Sequence, residues 1–370
     1  MGKKKKTAGR GPDGVGQPDL AALPVQAVQA FVSVLQAIED GTPWPIQVAS
    51  GFVNSLAKHL QAQNIDDYRP VTVYSLFYRV WSSERAREAL HTLMPALPEG
   101  ILGGVPGKQA KTIWYQVAQS LEFAFMDDSP VHGLLMDIRK AFNAIPRLPL
   151  WCALRTLGFP VHVMRAWCAF VAGQTRRFKV RQAVGEPVAS NCGLPEGCGL
   201  SVVGMIVVDW ILDCWLAAHT KGVSLRAFVD DWGLLFGDVT SFPLLWNKVQ
   251  EFVMALDLSL DMQKTRAWSS HGAARAELKD SEVMVAYYAR NLGAHQNFTK
   301  HCWNGVIQTR LASMTKVWPL LRASLSPYAQ WPIRFKLSRF WHGLEHCMGF
   351  QLSIWVLLTI KPCAQVQCEA

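Results

Sequence analysis

Two short apolar runs, each closed by aspartate, constrain this sequence more than any other feature. His132-Gly133-Leu134-Leu135-Met136-Asp137-Ile138 reads as a buried strand by its length and flanks. Leu225 to Val229 leads into Asp230-Asp231, and Gly233 to Phe236 leads out, so strand, acidic turn and strand is the simplest reading. Runs of this kind must be surrounded by a core. Half of the 370 residues are apolar and 15 are Trp, which supplies one and excludes a mainly disordered, collagen-like or low-complexity chain. Carboxylates at strand ends can converge on hard divalent cations. A single Asp in a turn is ordinary turn chemistry, and spacing alone does not decide between the two.

Residues 25–62, 75–93, 112–125, 147–173 and 200–218 read as helical, with apolar positions at three- and four-residue spacing from Val25 to Ile38 and a long apolar run over 200–218. Residues 178–184 alternate as a half-exposed strand, in a hairpin closed near Gly185-Glu186-Pro187. Residues 1–24, with Lys3 to Lys6 and closely spaced Gly and Pro, read as a disordered basic tail. The net charge is +9, and residues 290–345 carry eight cations against Glu345 alone. Basic surface at both ends of a slightly acidic middle suits a polyanion partner. The nine cysteines form no CxxC pair and no apolar signal region follows the lysines, so a reduced intracellular setting is expected. The lysine run is compatible with a nuclear address. Phe350–Ile360 is apolar but too short to span a bilayer, so no membrane partner is expected.

Some motif matches fail. Gly9-Arg10-Gly11-Pro12-Asp13-Gly14 has the dinucleotide spacing, but no strand precedes it and Pro12 interrupts it. Gly107-Lys108 lacks the remaining phosphate-loop residues. Asp209 and Asp213, four apart on one helix face, read as solvated or capped carboxylates rather than a metal pair. His342 and His346 have no partner pair for zinc.

The motifs in order are more specific than any one of them. Arg69-Pro70-Val71 with Tyr78-Arg79, Gly103 to Lys108, Asp137 to Asn143, Gly193-Leu194-Pro195-Glu196-Gly197, Phe228-Val229-Asp230-Asp231, Lys264-Thr265 and Leu292-Gly293 follow one another across about residues 65–300. This series resembles the reverse transcriptases, most closely those of non-LTR (LINE-type) retroelements. The resemblance implies an α+β right-hand polymerase fold with an antiparallel palm sheet, helical fingers and a helical thumb. It places a helical extension at 25–62, fingers at 63–130, palm at 131–289 and a basic thumb at 290–345. Residues 346–370 stay unassigned, as a truncated thumb or a tail.

The implied activity is RNA-directed DNA synthesis by two-metal nucleotidyl transfer. The partners would be an RNA template, a DNA primer or RNA/DNA duplex, and dNTP; the cofactors would be two Mg²⁺ or Mn²⁺ ions. Asp137 and Asp230 would bridge the metals, with Asp231 in support and the Ile138 carbonyl on the nucleotide-side ion. Lys140 and Ala141 would offer backbone amides to the triphosphate, and Phe142 would press on the sugar at C2′. Gly193 and Gly197 would let template and nucleotide approach the backbone. Lys264 would protonate pyrophosphate, Arg79 would contact phosphate, and Leu292 with Gly293 would form the primer grip.

The chain departs from the family pattern at Glu196 (usually Gln), Val202 (usually Pro), Asn143 (frequently Asp) and the bulky Trp232 after the Asp pair. Two other readings stay open: a catalytically decayed palm-fold protein that binds nucleic acid, and an RNA-dependent RNA polymerase.

Overall fold

The computed structural model describes residues 9–300, except 59–60, 65–66, 181 and 293. They fall into two units, with the division between Ala286 and Tyr287. In chain order the first unit begins with α1 (Gln17–Ala21), α2 (Val25–Glu39), β1 (Ser50–Ala57), β2 (Tyr68–Tyr74), α3 (Leu76–Leu93) and α4 (Ala110–Met126). It continues with β3 (His132–Asp137), α5 (Ala141–Ala144), α6 (Arg147–Thr156), α7 (Val161–Gly173), β4 (Thr175–Val180), β5 (Ala183–Val184) and β6 (Val188–Ala189). Then come α8 (Gly199–His219), β7 (Val223–Phe228), β8 (Asp231–Phe236), α9 (Phe242–Ala255), β9 (Arg266–Ser269), α10 (Gly272–Lys279) and β10 (Met284–Val285).

One sheet has the order β10-β9-β3-β8-β7 and is antiparallel apart from the β10–β9 pair. β3 is paired on both sides, which is why its sequence is a continuous apolar run rather than an alternating one. The outer edge of β7 is closed by residues 100–103: Leu102 and Gly103 donate N–H bonds to the Ala227 carbonyl at 3.0 and 3.2 Å. Beneath the sheet runs α8, the core of the unit, packed against α3, α6 and α9. Eleven of its residues are buried, so although it is long and apolar enough to cross a membrane, it is enclosed by protein on most faces.

The second sheet, β2-β1-β4-β5 with β6 also on β4, corrects the helical reading of 25–62 and of the fingers. The helix stops at Glu39, and 50–57 is a strand antiparallel to β2 and parallel to β4. The 50–57 stretch mixes apolar and polar residues in a way that satisfies both periods; pairing with β4, 125 residues along the chain, decided between them.

Two other expectations change. The helix read over 147–173 is two helices, because Gly158 takes a left-handed φ of +75° and Pro160 opens the next helix. Part of the expected disordered tail is folded. Gly11 and Gly16 are buried, and a Cβ on Gly11 would meet the Tyr74 and Ser75 backbone at 2.7 Å.

In the second unit, β11 (Tyr288–Asn291) and β12 (Ala294–Asn297) form an antiparallel hairpin. Leu292 lies in its turn with φ +49°. Gly293, residues 301–345 of the expected thumb and 346–370 lie outside the described residues.

Candidate active site

β3 ends on Asp137 and β8 begins on Asp231, and these two are paired across the ladder. Phe228 pairs with Asp231, so Val229 and Asp230 form a two-residue turn at the tip of the β7–β8 hairpin. Tight hairpin turns need positive φ, and here Val229 supplies it at +63°. For a β-branched side chain that conformation costs about 1–3 kcal/mol and persists only where the surroundings over-determine it. They do so here. β3 grips one side, residues 100–103 grip the other, and below, Trp232 Nε1–H donates to Asp209 Oδ1 at 2.7 Å. Both residues of that last bond are buried, so Asp209 is not the solvated carboxylate expected from its helix spacing.

The carboxylates disfavour one another's charge. Burial, then the charges of Asp230 and Asp137, pushes the Asp231 carboxyl up to about 6. Burial and the neighbouring Asp137 also raise Asp230. Lys264 Nζ donates to Asp137 Oδ2 at 2.8 Å and stands 3.5 Å from Asp261 Oδ2. The hydrogen bond to Asp137 is the leading reason that the Lys264 ammonium is held above its usual range. Asp261 escaped the sequence reading. It follows α9 in a turn whose N–H donates to the Asp137 carbonyl at 2.8 Å, while Arg139 N–H reaches the Ser259 carbonyl at 2.8 Å. This short bridge extends β3 past its end. It leaves the Ile138 carbonyl with no hydrogen bond among the described residues.

Among the described residues no group of three or more acidic, His or Cys side chains is arranged to hold a metal by itself. Mg²⁺ does not require one: it takes one or two carboxylates and completes its shell with water and substrate phosphates. An all-oxygen set of mutually repelling, partly buried carboxylates already drawing a lysine ammonium fits such an ion.

The Gly193–Gly197 loop lies between α5 and β2. Gly193 (φ +69°) and Gly197 (φ +111°) need to be glycine because a Cβ would stand 2.3 Å from the carbonyls of Asn143 and Thr72. The room that a side chain would need there is taken by the chain's own backbone. Leu194 N–H donates to the Phe142 carbonyl at 2.6 Å, and Thr72 N–H to the Glu196 carbonyl at 2.9 Å. Arg147 caps the loop, donating from Nε to the Gly193 carbonyl at 2.9 Å and from Nη2 to the Cys192 carbonyl at 3.0 Å.

Glu196 Oε1 accepts from Asn143 Nδ2 at 3.1 Å, and Arg176 Nη1 comes within 3.5 Å of Asn143 Oδ1. Burial raises the Glu196 carboxyl and Asp230 adds to that, while Arg69, Asn143 and Arg176 oppose it. Arg69 on β2 and Arg176 on β4 thus act on the site electrostatically, from a sheet of which the sequence showed only the β4–β5 hairpin. Lys140, with φ +49°, precedes α5 and Ala141 opens it; Phe142 is partly buried against the core.

Arg79, on α3, has its own partners. Its Nη2 donates to the Gly9 carbonyl at 2.9 Å, and Asp13 is its electrostatic neighbour. The folded stretch after the lysine run thus engages it.

Residues 58–300, more than half of the chain, match the family described as reverse transcriptase (RNA-dependent DNA polymerase). A comparison with curated proteins finds no match. Among solved structures, the apo telomerase from Candida tropicalis aligns with TM-score 0.50 at 10% identity, covering 75% of this chain and 53% of that one. The Candida albicans telomerase in complex with a fragment of telomeric RNA aligns with TM-score 0.49 at 11% identity, covering 73% and 48%. The chain thus spans about half the length of these structures, and the likeness concerns the fold. With a family match that runs from β2 through the carboxylate hairpin to the second unit, the chain belongs to the reverse transcriptase (RNA-dependent DNA polymerase) family.

Proposed function

We propose that this protein is an RNA-directed DNA polymerase that extends a primer on an RNA template, of the non-LTR (LINE-type) branch. The observation that carries the reading is the pairing of Asp137 with Asp231 across β3–β8, with Asp230 in the turn between the strands. Asp137, Asp230, Asp231 and the Ile138 carbonyl would hold two Mg²⁺ or Mn²⁺ ions. When bound, these would supply Lewis acidity at the primer hydroxyl and the departing pyrophosphate. Lys264, whose ammonium already rests on Asp137, keeps its proton at neutral pH and is the group to donate it to pyrophosphate. The amides of Lys140 and Ala141 would meet the triphosphate. Phe142 would exclude a 2′-hydroxyl and so select dNTP. Leu292 and Gly293 are proposed for the primer, on the motif alone. The lysine run suits an intracellular, nuclear setting.

Primer extension on a homopolymer RNA template, with Mg²⁺ or Mn²⁺ and matched dNTP and rNTP arms, tests the proposal. Templated dNTP addition supports it. Preference for rNTP would make the protein an RNA polymerase. RNA binding without extension would make it a decayed palm-fold binder.

A further inference from the structure

Trp232 directly follows the Asp pair, where a bulky ring is unexpected, and it is fully buried. Its indole N–H has one acceptor, Asp209 Oδ1 on α8, and its ring meets Phe252 of α9 edge-on at 6.0 Å. Asp209 is itself 0% exposed, and its Oδ2 has no hydrogen-bond partner among the described residues. Burial holds its carboxyl well above the ordinary range. An Asp–Trp pair in an apolar core is a costly way to fill space, because two apolar side chains of the same shape would be neutral or stabilising. A buried polar group kept in such a place needs a reason other than stability.

α8 suggests the reason. Its head carries the nucleotide-side loop: Cys198 precedes the first turn, and Ser201 Oγ donates to the Pro195 carbonyl at 2.9 Å. Asp209 lies ten residues along the helix from its first residue, Gly199, about 15 Å away at 1.5 Å per residue. One rigid element therefore grips the Gly193–Gly197 loop at one end and, through a directional hydrogen bond, the start of β8 at its middle. We propose that Asp209 is a positioning residue, acting through Trp232 to fix the strained Val229–Asp230 turn and the Asp231 that follows it in register with the nucleotide-side loop. This rests on the polymerase reading for its catalytic consequence, but not for the brace itself.

Four variants of the full chain test it: Asp209→Leu, Trp232→Phe, the two combined, and Asp209→Asn, which keeps the accepting oxygen. Each is measured for melting temperature, for amide exchange across 228–233 without metal, for Mn²⁺ affinity by calorimetry and for primer extension. Asp209→Leu and Trp232→Phe are expected to lose exchange protection in the turn, and to weaken Mn²⁺ binding and kcat by about 10- to 100-fold, as for groups that orient metal ligands. The combined variant is expected to melt at or above the parent, since both polar groups are gone, yet to stay as deficient in Mn²⁺ affinity and kcat as the single variants. Asp209→Asn should recover kcat to within about threefold of the parent, the scale of one altered hydrogen bond.

Loss of melting temperature with unchanged turn exchange, Mn²⁺ affinity and kcat would overturn the proposal, as would a combined variant restored in all three. If Asp209→Leu fails to fold, Trp232→Phe decides by the same readouts. An inactive parent would refute the polymerase reading instead, while exchange and Mn²⁺ affinity still decide the brace.

Discussion

In the β10-β9-β3-β8-β7 sheet the acids sit only at strand ends, where apolar strands and α8 strip their water and raise Asp230 and Asp231. In the β2-β1-β4 sheet the charges are cations along a strand face. Arg177 pairs with Phe52 and Lys179 with Asn54, and the Lys179 ammonium stands 5.0 Å over the Phe52 ring. Leu56, Phe178 and Val180 are exposed on that second sheet, whereas Leu134, Met136 and Leu234 of the first are buried. The same backbone ladder thus makes a desolvated cluster of negative charge in one place and a wet positive face in the other. The lesson is that burial decides what a charge is for. Charges out of water are worth the most chemically and tolerate substitution least, while solvated ones act additively and are screened by salt.

Breaking the buried cluster should give the largest effect. Asp230→Asn keeps the volume and removes one ligand charge, and primer extension should fall by about a thousandfold or more, equivalent to several kcal/mol of metal-borne stabilisation. RNA binding, measured in parallel, should persist; comparable extension by mutant and parent would refute the assignment of Asp230.

Sugar selection comes next. Phe142→Ala should narrow the dNTP-over-rNTP ratio in kcat/KM by at least about tenfold, because a cavity beside α5 relieves the misplacement of a ribonucleotide. An unchanged ratio in a folded, active variant would show that Phe142 is core packing.

The cluster also has a pH signature. Asp231 is raised to about 6 in the folded protein against an ordinary 3.8, so the folded state holds its proton more tightly than the unfolded one. Metal-free stability therefore declines as pH rises from about 4 through 6. Metal binding needs the ionised form and strengthens over the same range. Mn²⁺ affinity should drop by about tenfold from pH 7 to pH 5; a flat profile by calorimetry would place the metal elsewhere.

Between the two regions lies the Asn143–Glu196 contact. Asn143→Asp sets two carboxylates against each other and should cut kcat/KM by about five- to tenfold, a coupling of roughly 1 kcal/mol or more. Glu196→Gln alone should preserve or raise activity, and the pair Asn143→Asp/Glu196→Gln should return close to the parent. Additive losses in that double-mutant cycle would deny the coupling.

The smallest effect is expected on the exposed face. Arg177→Ala or Lys179→Ala should weaken RNA binding only a few-fold, about uniformly across sequences, and each should lower the slope of log K against log salt by about 1. A loss confined to one template sequence would indicate base contacts instead.

The carboxylate strands were legible in the sequence because a fully paired interior strand must be continuously apolar, and Asp137 and Asp230-Asp231 stand where such runs stop. α3, α4 and α8 were legible as helices, α8 as a long apolar run, and the order of motifs was enough to indicate the family. The sequence alone did not reveal what depends on partners far away along the chain. β1 became a strand by pairing with β2 and β4. Asp261 reached the site through a turn, and Arg176 through a paired strand, that no local pattern announces. Arg79 found a partner in the Gly9 carbonyl, seventy residues away, and Asp209 exchanged an expected solvent face for a buried bond to Trp232. Local periodicity records which face of an element avoids water. Which particular group meets that face is settled only when segments a hundred residues apart compete for the same backbone hydrogen bonds and the same buried volume.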